Sequence, residues 1–562
     1  MSPIGSLQTN GKVDNKLKGR LRQALVTTPS DKRRFIPCRQ LENICHEQTI
    51  AQELAKAFPK SDDSFHQSRA SLICHGQTRD LSITSQPCLK IFVILVLLGH
   101  ASLIESFVQH RLCDRDLPFF STPDLTGLYS HRHKPESSLT FPDEDDQYEI
   151  IENFLEKQWA VLVPSFGAPE AGYMRCNVYE FHEKTILPIQ EISKKKYPGG
   201  FGLVEKVKIH KEHNGFNHEY FALKTMHPMI PDERDRFFQQ ELDAFHKARP
   251  GGHIIEIRAA FKKGESRGFL FPWADGGTLN HLWAKDSRKI VATAGVQWSE
   301  FSRWICEQCH GIIRDLRAIH EPYGGIPAGT STEDLYGIHS DIKPDNILHF
   351  TQDGPPLGLL KVSDLGLMRF HRLVSRTVQS KSMGNAYQTY RAPEHDMGKV
   401  RSRKIDIWAF GCLFAEFLTW AIGGENAIES FKTARMDEDK EFPDENKGDW
   451  SEDNFFIMKT KTRGLTQVKV PKRKSTVDEW FSDLIKDLGP DMANTFFPQF
   501  LGFIQSSMLD PDRRNRADCK QVESFLGRLL KEKPPDSRYW RFNGTIEYPK
   551  SYSRSTTGTG TW

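Results

Sequence analysis

Near residue 180 the chain changes the period of its apolar residues. Downstream, "LVEKVKIH", "EYFALKTM", "IIEIRAAFKK" and "GFLFPW" are short runs of strand character, with one helically spaced segment, "RDRFFQQELDAFHKA", between the second and third. From about residue 278 helical spacing takes over. A strand-rich lobe followed by a helical lobe predicts an α+β, bilobal fold with a ligand cleft between the lobes. The 562 residues exceed what one core holds, so two to four units are expected at about 100–200 residues each.

Upstream, residues 1–34 are polar and basic and read as a disordered tail. Residues 35–170 contain helically spaced segments such as "RQLENICHEQTIAQELAKAF" and "ASLIESFVQHRL", predicting a mostly α-helical accessory region. The uninterrupted apolar run Ile91 to Gly99 is too short to cross a bilayer, which needs about 20 residues, and is expected to form a buried helix. Residues 533–562 read as a second disordered tail.

A net charge of +3 gives no dominating attraction to nucleic acid or an anionic membrane, so neither nucleic-acid binding nor a membrane span is expected. Ten cysteines without a spacing framework, and an N-terminus lacking an apolar signal core, fit reduced thiols in the cytosol or nucleus. Cys306 and Cys309 lie in a helically periodic segment and are expected to pack in a core rather than bind metal.

Within the strand-to-helix region, chemistry-bearing residues recur in a fixed order. "KYPGGFGLVEKV" places Gly199, Gly200 and Gly202, with Phe201 at the tip, between two strands; such glycines admit phosphates to backbone amides, and a plain hairpin turn has the same composition. Lys224 in "FALKTM" falls on a strand and Glu241 in "FFQQELDAF" on the next helix. Either alone reads as a surface charge. Then come Asp341, Lys343 and Asn346 in "HSDIKPDN", Asp364 in "KVSDLGLMRF", Glu394 in "YRAPE" and Asp406 in "KIDIWAFGCLFAEFL".

Over residues 185–532 these motifs resemble the eukaryotic protein kinase family, serine/threonine type. The resemblance implies ATP and Mg²⁺ as cofactors and a protein hydroxyl as substrate. Asp341 is then the base and Lys343 the cation facing the transferred phosphoryl group; Asn346 and Asp364 are the magnesium ligands. Lysine at position 343 favours serine and threonine acceptors.

The implied nucleotide site comprises Gly199, Gly200, Phe201, Gly202, Val204, Ala222, Lys224 with its partner Glu241, and Phe271, Pro272 and Ala274 around adenine. Leu365 stands beside Asp364 where phenylalanine is usual. Glu394 is expected to pair with an arginine late in the lobe, with Arg514 the best match, and Asp406 to tie down the catalytic loop.

Departures from the family pattern bear on control. Ser340 stands where an arginine gathers a phosphorylated activation loop, which implies activity with little dependence on phosphorylation at Ser375, Thr377, Ser380 or Ser382. Tyr197 replaces the first loop glycine, and Tyr387 occupies the position of a substrate-loop threonine. These departures motivate the alternative of a pseudokinase or scaffold. The N-terminal segments "QPCLKIFVILVLLGHASLIESFV", "CDRDLPF" and "QWAVLVPSF" resemble the accessory region of some filamentous-fungal kinases, a resemblance that implies no chemistry; a regulatory or docking role for the helical region, with a partner, is a separate expectation.

Overall fold

A computed structural model describes residues 16–76, 86–132, 138–141, 146–169, 176–198, 202–227, 231–247, 252–321, 337–352, 354–365, 389–397, 402–441, 451–463 and 466–548. The chain divides into two compact units. One is Met1–Pro228 with Arg258–Phe271, and the other is Met229–Ile257 with Pro272–Trp562.

The first unit joins the accessory region to the strand-rich lobe. At the heart of the accessory core lies the Leu89–Leu98 helix, with Ile91 through Leu97 all buried, as the apolar run predicts. Asp114 accepts the Lys90 and Ile91 amides at the start of that helix. Gly99, at φ 99°, ends it with a left-handed turn that returns amides to Leu95 and Val96. Phe107, Phe119 and Phe154 pack beside it with ring centroids 5.5–5.8 Å apart. The region is mostly helical but also carries a three-stranded antiparallel sheet, Phe119–Ser121, Gly127–Ser130 and Leu139–Thr140.

The expected 1–34 tail is already folded at Leu17. Leu17 and Leu21, one helical turn apart in the Leu17–Gln23 helix, are buried against this same core. Val26–Thr27 then pairs with Arg34–Phe35. Two apolar residues at i, i+4 in an otherwise basic stretch are enough to dock it.

The lobe itself is a six-stranded sheet. Its order is Asn177–Phe181, Ala259–Lys263, Ser266–Pro272, Tyr220–Met226, Gly202–Ile209 and Ile189–Pro198, with the first pair parallel. The strand expected from "IIEIRAAFKK" is confined to its second half, Ala259–Lys263.

The accessory region grips this lobe at one turn. Glu212 accepts the Arg39 and Gln40 amides (2.8 and 3.2 Å), Phe35 sits edge-on between His210 and His213, and Phe166 exchanges backbone bonds with His213 and Gly215. Burial pushes both histidines below the ordinary imidazole range, which favours neutral rings in this joint.

The second unit is helical. Its long helix, Lys404–Glu441, bends at Gly424 (φ 71°); it is apolar and long enough to cross a membrane, yet its most apolar window is wholly buried inside the unit. The helices Trp298–His320, Ser475–Leu488, Phe496–Phe503 and Cys519–Glu532 belong to the same unit. Cys306 and Cys309 are buried on the apolar face of the first of these, and burial raises both thiol pKa values.

The expected 533–562 tail is packed through Tyr548. Trp540 is fully buried against Phe496, Phe542 packs on Trp298 and Phe497, and the Ile546 amide donates to the Ile422 carbonyl just before the Gly424 bend. Two aromatic anchors and one carbonyl left over at a helix bend account for the order of an aperiodic segment.

Candidate active site

In the first unit, the register of the sheet gathers several of the predicted nucleotide residues. Val204 lies opposite Lys224, Gly202 opposite Met226 and Lys206 opposite Ala222, so Gly202, Val204, Ala222 and Lys224 share one face. The other face carries Val207, Phe221 and Leu223 into the lobe core. A Cβ on Gly202 would stand 2.4 Å from the Thr225 carbonyl oxygen, so close strand approach demands glycine there. Lys224 and Phe271 are buried. Gly199, Gly200 and Phe201 lie outside the described residues, as do Ser375, Thr377, Ser380, Ser382 and Tyr387.

In the second unit, Glu241 is buried on the Pro231–Lys247 helix, and Pro272 and Ala274 are buried at the end of the strand and just after it. The remaining predicted residues converge on a short loop after Ile338. Asp341 Oδ2 accepts both the Lys343 ammonium (2.7 Å) and the Asn346 amide (2.9 Å). The same Asn346 nitrogen donates to the Asp341 carbonyl at 2.8 Å. Both bonds use Nδ2, so the side-chain oxygen Oδ1 of Asn346 is left as an acceptor. Among the described residues no hydrogen bond reaches Asp341 Oδ1. A cavity beside the loop is lined by Asp341, Lys343, Tyr390, Arg391 and His395.

Backbone tethers hold this geometry. His339 Nε2 lies 3.0 Å from the Ser363 carbonyl, and Ser363 returns its amide and hydroxyl to the Asn346 backbone carbonyl (2.8 and 3.1 Å). Asp364 follows directly, at φ 59°, with Leu365 fully buried beside it. Ser340 is also left-handed, at φ 66°, an unfavourable state for a residue with a Cβ.

Asp406 supports it there, accepting the His339 amide at 2.8 Å, the Ser340 amide at 2.9 Å and His320 Nε2 at 2.8 Å. Burial alone would raise the Asp406 pKa; the hydrogen bond from His320, with His339 and the Ser340 amide, outweighs it and keeps the carboxyl below the usual range.

Arg516, not the expected Arg514, pairs with Glu394, through bonds of 2.8 and 3.0 Å. Arg514 is exposed and pairs with Asp512. The run "DRRNRA" holds three arginines, and only the one that turns inward over Trp408 is buried.

A second buried cluster escaped sequence reasoning. Tyr390 donates to Glu416 at 2.5 Å, and Arg435 donates to the other Glu416 oxygen at 2.7 Å while lying 4.1–4.2 Å from the Phe431 and Phe455 ring centroids. Burial raises the Glu416 pKa, and Arg435 opposes that rise. Thr389 donates to Asp453 (2.6 Å), so the stretch before "APE" is fastened at two successive residues. The available signal was Glu416 itself, a lone acid within the apolar run "WAFGCLFAEFLTWAI".

A sheet-rich lobe, a helical lobe, and an aspartate, lysine and asparagine gathered on one tethered loop define a phosphotransferase-type fold. The model of the protein kinase domain matches residues 198–524, more than half of the chain. The chain belongs to the protein kinase family.

Relatives match over shorter stretches. Cyclin-dependent kinase 8 of Caenorhabditis elegans is 41% identical over 85 residues, covering 15% of this chain and 14% of the relative. The probable cyclin-dependent kinase 8 of Dictyostelium discoideum is 39% identical over 83 residues (15% and 21%). GLH-binding kinase 1 of C. elegans is 33% identical over 118 residues (20% and 28%). The matched stretches thus span under a third of these relatives' lengths.

Proposed function

We propose that the chain is an ATP- and magnesium-dependent serine/threonine protein kinase of the cytosol or nucleus. The observation that carries this reading is the arrangement around Asp341: one carboxylate oxygen is held by Lys343 and Asn346 while the other carries no hydrogen bond among the described residues. That second oxygen is suited to orient a substrate hydroxyl and accept its proton. Lys343, 2.7 Å from the first oxygen, supplies positive charge next to the reacting oxygen.

The donor set suits a hard cation. The side-chain amide oxygen of Asn346 and the carboxylate of Asp364 would supply oxygen ligands, on segments joined where Ser363 bonds the Asn346 backbone carbonyl. When bound, magnesium-ATP supplies the phosphoryl group and neutralises its charge. Lys343 in "DIKPDN" supports serine and threonine as acceptors.

The uncharged Ser340 supports activity with little dependence on activation-segment phosphorylation. Arg391, the neighbouring cation, already pairs with Glu452 and Asp396. The accessory region, gripping the sheet through Glu212, acts as the regulatory module of the small lobe.

The test is a peptide library incubated with the full chain and magnesium-ATP, read by mass spectrometry. Phosphate on serine and threonine is expected. Phosphate on tyrosine alone, or ATP binding without any transfer, contradicts the reading.

A further inference from the structure

Behind the catalytic loop, a thiol stands at the end of a hydrogen-bonded chain that the reaction scheme does not use. Cys519, the first residue of the Cys519–Glu532 helix, places its sulfur 3.2 Å from His320 Nδ1. His320 closes the Trp298–His320 helix and places Nε2 2.8 Å from Asp406 Oδ2. Cys519, His320 and Asp406 are all buried, at 4%, 3% and 1% exposure.

With His320 as a neutral ring, the donors follow from its two contacts. An ionised carboxylate only accepts, so the contact at Asp406 requires a proton on His320 Nε2. In the neutral ring Nδ1 is then an acceptor, and the Cys519 S–H is the donor facing it. A cysteine that only filled space would have no need to meet a ring nitrogen. Charged and titratable neighbours of this chain are His339 on the catalytic loop, Arg403 beside the long helix, whose guanidinium donates to the His320 carbonyl, and Asp518 and Glu523 on the Cys519 element.

We propose that Cys519 is a positioning residue for phosphoryl transfer: its thiol proton fixes the His320 tautomer that donates to Asp406, and so steadies the His339 and Ser340 amides ahead of Asp341. The proposal rests on the kinase reading of Asp341. The left-handed Ser340 makes the loop sensitive to this support, because its amide bond to Asp406 offsets an unfavourable backbone state.

The experiment compares the full-length chain with Cys519→Ala and Cys519→Ser. Steady-state kinetics on a phosphoacceptor peptide are read beside long-range ¹⁵N spectra of the histidine rings, which report the tautomer. Cys519→Ala is expected to lower kcat by about threefold to tenfold, with KM for ATP and peptide unchanged, and to loosen the fixed His320 tautomer. Cys519→Ser, which keeps a donor, is expected to restore both.

An unchanged kcat and tautomer in Cys519→Ala would overturn the proposal, as would a folded Cys519→Ser that falls as far as Cys519→Ala. Where Cys519→Ala does not fold, Cys519→Val fills the volume without a donor and is read the same way. If the unsubstituted chain transfers no phosphate, the kinase reading fails, and the tautomer comparison alone decides the role of Cys519.

Discussion

Arg516 holds Glu394 at both carboxylate oxygens, Nη1 to Oε1 at 2.8 Å and Nη2 to Oε2 at 3.0 Å, with its side chain fully buried. It also donates to the Asp510 and Lys404 carbonyls. Glu394 follows the stretch that carries Tyr390 and Arg391, so this one pair joins the rim of the cavity beside Asp341 to the end of the lobe.

Removing one partner of a buried pair strands the other charge. Arg516→Ala is expected to cost about 3–5 kcal/mol in denaturant unfolding. Arg514→Ala, which removes an exposed side chain, is expected to leave the unfolding midpoint unchanged. Equal effects of the two would contradict the assignment.

The C-terminal segment is structural as far as Tyr548. Trp540→Ala empties a fully buried site against Phe496 and is expected to destabilise the helical unit by about 3–5 kcal/mol, measured by chemical denaturation. A chain ending before Ser537 is expected to melt well below the full chain.

Lys474 gives a pH signature. It is fully buried, donates to the Arg435 and Glu452 carbonyls at 2.9 and 2.8 Å, and has its pKa pushed down to about 8 by burial. In the unfolded chain the group titrates near the ordinary lysine value of about 10.4. Between these values the unfolded state holds more protons, so this contribution to stability is complete above the unfolded pKa and is lost as pH falls towards 8. The stability of the unsubstituted chain relative to Lys474→Met is therefore expected to rise from pH 8 to pH 10 in urea titrations; a flat difference would contradict it.

Ser340 bears on control. Phosphatase treatment of the purified chain is expected to leave its activity nearly unchanged. Loss of activity, traced to phosphate on Ser375, Thr377, Ser380 or Ser382, would contradict that expectation.

What the sequence disclosed depended on range. Asp341, Lys343 and Asn346 lie within six residues, so their meeting is a local matter and was legible as a spacing. The Lys224 strand and the Glu241 helix were legible because their periods differ. Arg516 was misplaced by two residues because "DRRNRA" offers three equivalent guanidinium groups, and only packing over Trp408 selects one. The segment around Trp540 reads as disordered because an irregular strap has no period, although its aromatics are its anchors. The Leu17–Gln23 helix was hidden by surrounding charge. His320, Cys519 and Arg435 are remote in sequence from the groups they serve, so no spacing betrays them.

The most direct test of the whole account is transfer of radiolabelled γ-phosphate to a serine-containing peptide by the intact chain and by Asp341→Asn, with folding of both checked by thermal melting. Magnesium-dependent transfer by the intact chain and its loss in folded Asp341→Asn is the predicted result. Equal transfer by the two would contradict Asp341 as the catalytic base, and none by either would contradict the kinase reading itself.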